Sequence, residues 1–147
     1  MDNVEPLNYF QEKGNQIMHG HKTDAQLAKA IRGDYFQLKW DAAMAIGLEA
    51  GNQSSPNPMW VTDGRGGNWE VSGGVCGFAW LEFAGNTAFG KWAKETQLAR
   101  AGYPTGLRVS CWEFGQSLTR KEHWAIAVAN YLREELHIEI RACSRID

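Results

Sequence analysis

Between Val75 and Cys143 the chain alternates strand-like and helix-like segments, and that rhythm restricts its architecture more than any other feature. The run Val75-Cys76-Gly77-Phe78-Ala79-Trp80-Leu81-Glu82-Phe83 is apolar on both alternating faces, the pattern of a central strand covered on two sides. Asn86-Thr87 then caps a helix whose apolar side is Phe89, Trp92, Ala93, Thr96 and Ala99, ended by Gly102 and Pro104. Leu107 to Phe114 reads as a strand. Thr119-Arg120-Lys121-Glu122 has capping-box spacing and opens a second helix, with Trp124, Ala127, Val128, Tyr131 and Leu132 on one side. His137 to Cys143 closes the series as a strand, with Ile138, Ile140 and Ala142 inward and His137, Glu139 and Arg141 outward. Two successive crossovers, right-handed as nearly all are, place the three strands parallel. The expected class is α/β, with α+β as the alternative.

The first half adds helices and a hairpin. Residues 1–22 show little periodicity and read as an arm. Thr23-Asp24 caps a helix through Ala25, Leu27, Ala28 and Ile31, Gly33-Asp34 interrupts it, and a second helix carries Phe36, Trp40, Ala43, Met44, Gly47 and Leu48. The stretch Gly51 to Pro58 breaks the pattern. Met59 to Thr62 and Asn68 to Ser72 form a hairpin around Asp63-Gly64-Arg65-Gly66-Gly67. A chain of 147 residues is near the commonest domain size. One domain is expected: an arm (1–22), helices plus hairpin (23–72) and a β-α-β-α-β core (75–147).

Composition narrows the function classes. A net charge of −2 argues against bulk attraction to nucleic acid or to a membrane surface, leaving only a local patch for either. No apolar run approaches the roughly 20 residues a membrane helix requires, and the polar N-terminus has no signal-peptide core. Cys76, Cys111 and Cys143 are odd in number and lack CxxC spacing, and the histidines lack metal-ligand spacing. No metal or cofactor is expected, and reduced thiols fit a cytoplasm.

Parallel strands would bring their carboxyl ends to one rim, where open α/β sheets bind ligands. That rim would gather Asn86, Thr87, Gln116, Ser117 and Arg145, with Arg120 and Lys121 in the first turn of the second crossover helix. Such donors and cations suit a small anionic ligand or an acidic group of a partner. Every helix needs caps, so Thr87 and Ser117 also have a purely structural role to fill. Cys76, among small neighbours, is a weak candidate nucleophile. No histidine is placed near it by sequence, and a free cysteine in a central strand is usually a small buried hydrophobe. His19-Gly20-His21 and the glycine-rich loop at 63–67 carry no ligand signature beyond composition. Seven tryptophans supply surplus aromatic surface. Trp112, sharing a strand face with Arg108, Ser110 and Phe114, suggests a stacking surface for bases, although packing beneath a crossover helix is the expected place for it.

Trp40-Asp41-Ala42-Ala43-Met44-Ala45, Ser55-Pro56-Asn57-Pro58-Met59, Cys76-Gly77-Phe78-Ala79-Trp80, Gly115-Gln116-Ser117 with Arg120-Lys121-Glu122, and Ser144-Arg145-Ile146-Asp147 occur in that order. Together they resemble a group of small bacteriophage-encoded proteins of uncharacterised function. The resemblance covers residues 36–147 and brings no catalytic residues with it. It implies phage origin and a place in the host cytoplasm or the virion. The function expected is that of a non-enzymatic accessory or interaction protein. Its partners would be itself, as a homo-oligomer, or another phage or host protein. A virion assembly component and a small nucleotide-acting or cysteine-dependent enzyme are the alternatives.

Overall fold

Thr23 and Gln26 form a reciprocal cap. The Gln26 N–H donates to Thr23 Oγ1 (3.1 Å) and the Thr23 N–H to Gln26 Oε1 (2.8 Å). They open a single thirty-residue helix, α1 (Asp24–Gln53). The structure is a computed structural model that describes residues 23–147. The expected arm and His19-Gly20-His21 lie outside the described residues. The chain divides into two units, Met1–Leu38 and Lys39–Asp147. The described part of the first is the opening half of α1, where the Tyr35 and Phe36 rings lie 6.3 Å apart. The interruption expected at Gly33 is absent. A helical glycine costs only about 1 kcal/mol relative to alanine, less than a continuous helix of this length gains.

The second unit continues α1 and adds β1 (Met59–Thr62), β2 (Asn68–Val71), β3 (Gly77–Phe83), α2 (Ala88–Glu95), β4 (Arg100–Ala101), β5 (Leu107–Ser110), α3 (Leu118–Leu136) and β6 (Ile140–Ile146). Strands β1 and β2 form the expected hairpin, Trp60 opposite Glu70 and Val61 opposite Trp69. Asp63 closes its loop. Its carboxylate accepts from the N–H groups of Arg65 (2.7 Å) and Gly67 (3.0 Å), which hold it below the usual carboxylate range. Those loop N–H groups are therefore already occupied.

The remaining strands form one sheet in the order β4-β5-β3-β6, every neighbouring pair antiparallel. The fold is α+β, and the expected parallel arrangement is corrected. The cause is β4, two residues long, paired as a hairpin with β5 through Arg100 opposite Arg108 and Ala101 opposite Leu107. The crossover from β3 lands on β4, the hairpin reverses direction, and β5 fills the gap between them. The crossover from β5 likewise skips β3 to reach β6. Two interleaved, split β-α-β units result, the connectivity of a ferredoxin-like sheet.

One sheet face is dry. Ala79, Leu81, Phe83, Leu107, Val109 and Ile140 are buried on it, with α3 packed on β3 and β6. Phe89 of α2 meets the Phe83 ring at 5.1 Å and Trp40 of α1 at 6.4 Å. Small residues let α1 pack closely: a Cβ at Gly47 would fall 2.6 Å from Val128 Cγ2 of α3, and one at Gly51 would fall 2.2 Å from Phe114 Cζ in the segment before α3.

Candidate functional site

Period-two alternation sends the other half of each strand to the opposite face. There β3 presents Phe78, Trp80 and Glu82. Register sets Arg108 of β5 and Arg141 of β6 on either side of Glu82, Ser110 and Cys143 on either side of Trp80, and Arg145 beside Phe78. Arg100 of β4 extends the row beyond Arg108. This face is open: Phe78 is 38% exposed, the Arg141 side chain 75%, and Arg100 and Arg145 are exposed.

The cations are fixed against the aromatics. The Arg108 guanidinium carbon lies 4.4 Å from the Trp80 ring centroid and that of Arg145 lies 5.3 Å from Phe78, both within cation–π range. Glu82 ties the centre together. It accepts from Trp80 Nε1 (2.8 Å), from Arg108 Nη2 (3.1 Å) and from Arg141. The Trp80 N–H, opposed by partial burial and assisted by the two arginines, holds the Glu82 carboxyl below its ordinary value. Arg108 Nε is buried and has no acceptor among the described residues. Four arginines against Glu82 and Glu139, which lines the recess beside Glu82 and Arg141, leave two net positive charges among these side chains, in a chain whose overall charge is −2.

At the β4–β5 edge the face meets a cleft of about 600 Å³ whose walls include Trp40, Trp112, Trp124, Arg100 and Arg108. Trp112 is 85% exposed, not packed beneath a helix as expected. It follows β5 on the same alternating side as Arg108 and Ser110, the side that carries them to the open face. Trp112 also forms a wall of a second, smaller cleft with Phe78, Ser110, Gln116 and Lys121.

No protein-family model, curated protein or solved structure matches the chain.

The antiparallel order divides the expected rim. Asn86 and Thr87 follow the last residue of β3, whereas Gln116, Ser117 and Arg145 gather at its first residue, Gly77, about 20 Å away along the strand. The groups themselves are largely engaged. Thr87 Oγ1 caps α2 by accepting from the Gly90 N–H (2.9 Å). Ser117 Oγ caps α3 by accepting from the Arg120 N–H (3.3 Å) and donates to Gly73 O (2.8 Å). The helix thus starts two residues before the expected Thr119 box. Arg120 donates to Gly51 O (2.9 Å) and Asn52 O (3.2 Å), satisfying the carboxyl end of α1. Asn86 is exposed and lines a recess at the far end of β3 that it shares with Glu82, Glu139 and Arg141. Gln116 and Arg145 remain near an aromatic wall.

Cys76 is half-buried beside Ser117, with no histidine or carboxylate hydrogen-bonded to it among the described residues. Burial pushes the Cys111 thiol up to about 11 and raises Cys143 as well, so neither is a ready thiolate. Among the described residues no cluster of histidine, cysteine or carboxylate side chains could hold a metal ion. No helix among them is long and apolar enough to cross a membrane.

Sequence reasoning passed over the row Phe78, Trp80 and Glu82 as members of a site, together with Arg100 and Arg141. Lys121, expected beside Arg120 at the rim, is buried instead. The signal for Lys121 was available, because it falls in the i, i+4, i+7 stripe with Ala125 and Val128, a buried position on α3.

Proposed function

We propose that this chain is a non-catalytic binding module that takes single-stranded nucleic acid on the open face of its sheet, in the setting of a phage-infected bacterium. The observation that carries the reading is the row Phe78-Trp80 on the central strand, flanked on both sides by arginines. Four-stranded sheets with exposed aromatics suit single strands because unpaired bases stack on rings and on guanidinium planes, while cations track the phosphates. Bulk charge disfavours such a partner, but the arginines are concentrated where a strand would lie. The adjoining Trp112 cleft, at about 600 Å³, is in the size range of nucleotide-sized ligands.

The test is fluorescence anisotropy of a labelled oligothymidylate against the protein across a salt series. The expected result is salt-sensitive binding that Arg141→Ala plus Arg145→Ala weakens by tenfold or more in total, on the order of 1 kcal/mol per lost phosphate contact. Binding that survives the double substitution unchanged overturns the reading. An assembly role is the second reading, favoured by Trp60 (69% exposed) and Trp69 (49%) on a hairpin whose strands, among the described residues, pair only with each other. Sedimentation of a Trp60→Ser plus Trp69→Ser variant distinguishes it: an oligomer that dissociates supports assembly, and a monomer before and after removes it.

A further inference from the structure

Lys121 is 6% exposed. Its neighbour Arg120 turns to the end of α1, but Lys121 enters the molecule along the α3 stripe that faces the sheet. A buried ammonium requires compensation, ordinarily from a carboxylate. Among the described residues none is paired with it. Of its three donors, one reaches Gly77 O at 3.3 Å, and the Phe78 ring centroid lies 5.5 Å from Nζ. What remains of its hydrogen-bonding capacity borders a cleft of about 220 Å³ walled by Phe78, Ser110, Trp112 and Gln116. The one acidic group buried against that cleft, the Cys111 thiol, is kept protonated by its burial and supplies no negative charge.

We infer that this cleft is an anion site that receives the terminal phosphate of a bound strand. The inference rests on the reading of the sheet face as a strand-binding surface and adds to it a preference for one kind of strand end. The cleft is smaller than the roughly 300–1,000 Å³ of sites that enclose drug-sized ligands, and it opens beside Phe78 at one end of the aromatic row. Charge decides between an internal and a terminal phosphate. Lys121 and Arg145 both lie against the Phe78 ring, at 5.5 and 5.3 Å. Lys121 in the cleft wall, with Arg145 outside the wall at the same ring, matches a phosphate monoester, which carries about −1.5 to −2 at neutral pH, better than the single charge of a diester. The Ser110 hydroxyl and the Gln116 amide supply neutral donors at the walls.

The experiment compares short oligothymidylates carrying a 5′-phosphate, a 3′-phosphate or hydroxyls at both ends, and inorganic phosphate alone, by isothermal calorimetry. The proteins are the wild type and Lys121→Met, with thermal melts of both. The wild type should bind one phosphorylated strand about tenfold or more tighter than the hydroxyl strand, in keeping with a charge-assisted contact. Lys121→Met should erase that difference, keep the affinity for the hydroxyl strand and melt no lower than wild type, since it removes an unpaired buried charge. A lower melting temperature together with an unchanged end preference would make Lys121 purely structural and overturn the inference. Equal wild-type affinity for all three strands also overturns it, whether or not the variant folds, and leaves the sheet-face reading intact. Binding of inorganic phosphate without binding of any strand does the reverse: it supports the anion site and removes the sheet-face reading.

Discussion

Glu82 is the negative charge at the centre of the open face, with Glu139 at its rim, and replacing Glu82 by glutamine predicts a gain rather than a loss of binding. Its carboxylate neutralises one unit of the positive charge that Arg100, Arg108, Arg141 and Arg145 provide. For single strands the logarithm of affinity falls with the logarithm of salt at about 0.7 per phosphate neutralised. Two net charges give a slope of about −1.4, so affinity drops about sevenfold from 50 to 200 mM salt. In Glu82→Gln a third cation is released, the slope steepens to about −2.1, and the same salt step costs about 20-fold. Counterion release alone then tightens binding about eightfold at 50 mM and about threefold at 200 mM. The fold should tolerate the change. The two ion pairs lost are partly exposed and contribute about 0–1 kcal/mol each, and the glutamine oxygen still accepts from Trp80 Nε1. Anisotropy titrations at four salt concentrations, with a thermal melt as control, measure all of this. Acid gives an independent check of sign. Because Glu82 is held below its ordinary value of 4.5, its contribution to stability is complete above that pH and is lost as pH falls through the lower folded value. A folded Glu82→Gln protein with an unchanged slope, or with weaker binding, refutes the charge reasoning.

Two further predictions concern the scaffold and the thiols. Gly90→Ala should destabilise the protein although it improves helix propensity. The new Cβ would lie 2.1 Å from Ala84 O and 2.9 Å from Gly85 Cα, both backbone atoms that cannot rotate away. Overpacking of about 3 kcal/mol against a propensity gain of about 1 leaves a net loss of about 2 kcal/mol. A denaturant melt at or above the wild-type midpoint would show that the turn before α2 yields. Cys111, with its pKa at about 11, is one part in about 3,000 thiolate at pH 7.5. Mass mapping after brief native treatment with iodoacetamide should find it the last of the three cysteines modified; early modification of Cys111 contradicts its burial.

Much of the scaffold was legible because its signals are local. The Thr87 cap, the hairpin register and the alternation that buries Leu81 and Phe83 all follow from a few adjacent residues. What was not legible was strand direction. β4 spans only Arg100 and Ala101, too short for periodicity to register, and it lies where a helix end followed by glycine and proline is an equally consistent reading. Trp112 was placed under a helix because large aromatics usually are; its exposure follows from the sheet face it occupies, which depends on the same strand order. Lys121 is a different case: beside Arg120 it reads as a rim cation, while the stripe through Ala125 and Val128 places it on the buried side of α3.

Strand parity also decides where the site lies. With β5 parallel to β3, the end of β5 would meet Phe83, and Trp112, Gln116 and Lys121 would sit at the far end of the sheet from Phe78. The two-residue hairpin partner reverses β5, so that Cys111 N–H bonds to Ala79 O and Gly77 N–H to Gln116 O. The segment from Trp112 to Lys121 then folds beside Phe78 and Arg145. Antiparallel register further sets Arg108 and Arg141 directly opposite Glu82, where cross-strand side chains are near enough to pair. The cation–aromatic row and the buried lysine cleft are therefore consequences of one topological choice. Disrupting β4 should move both sites together, whereas a substitution in the arginine row should alter only the open face.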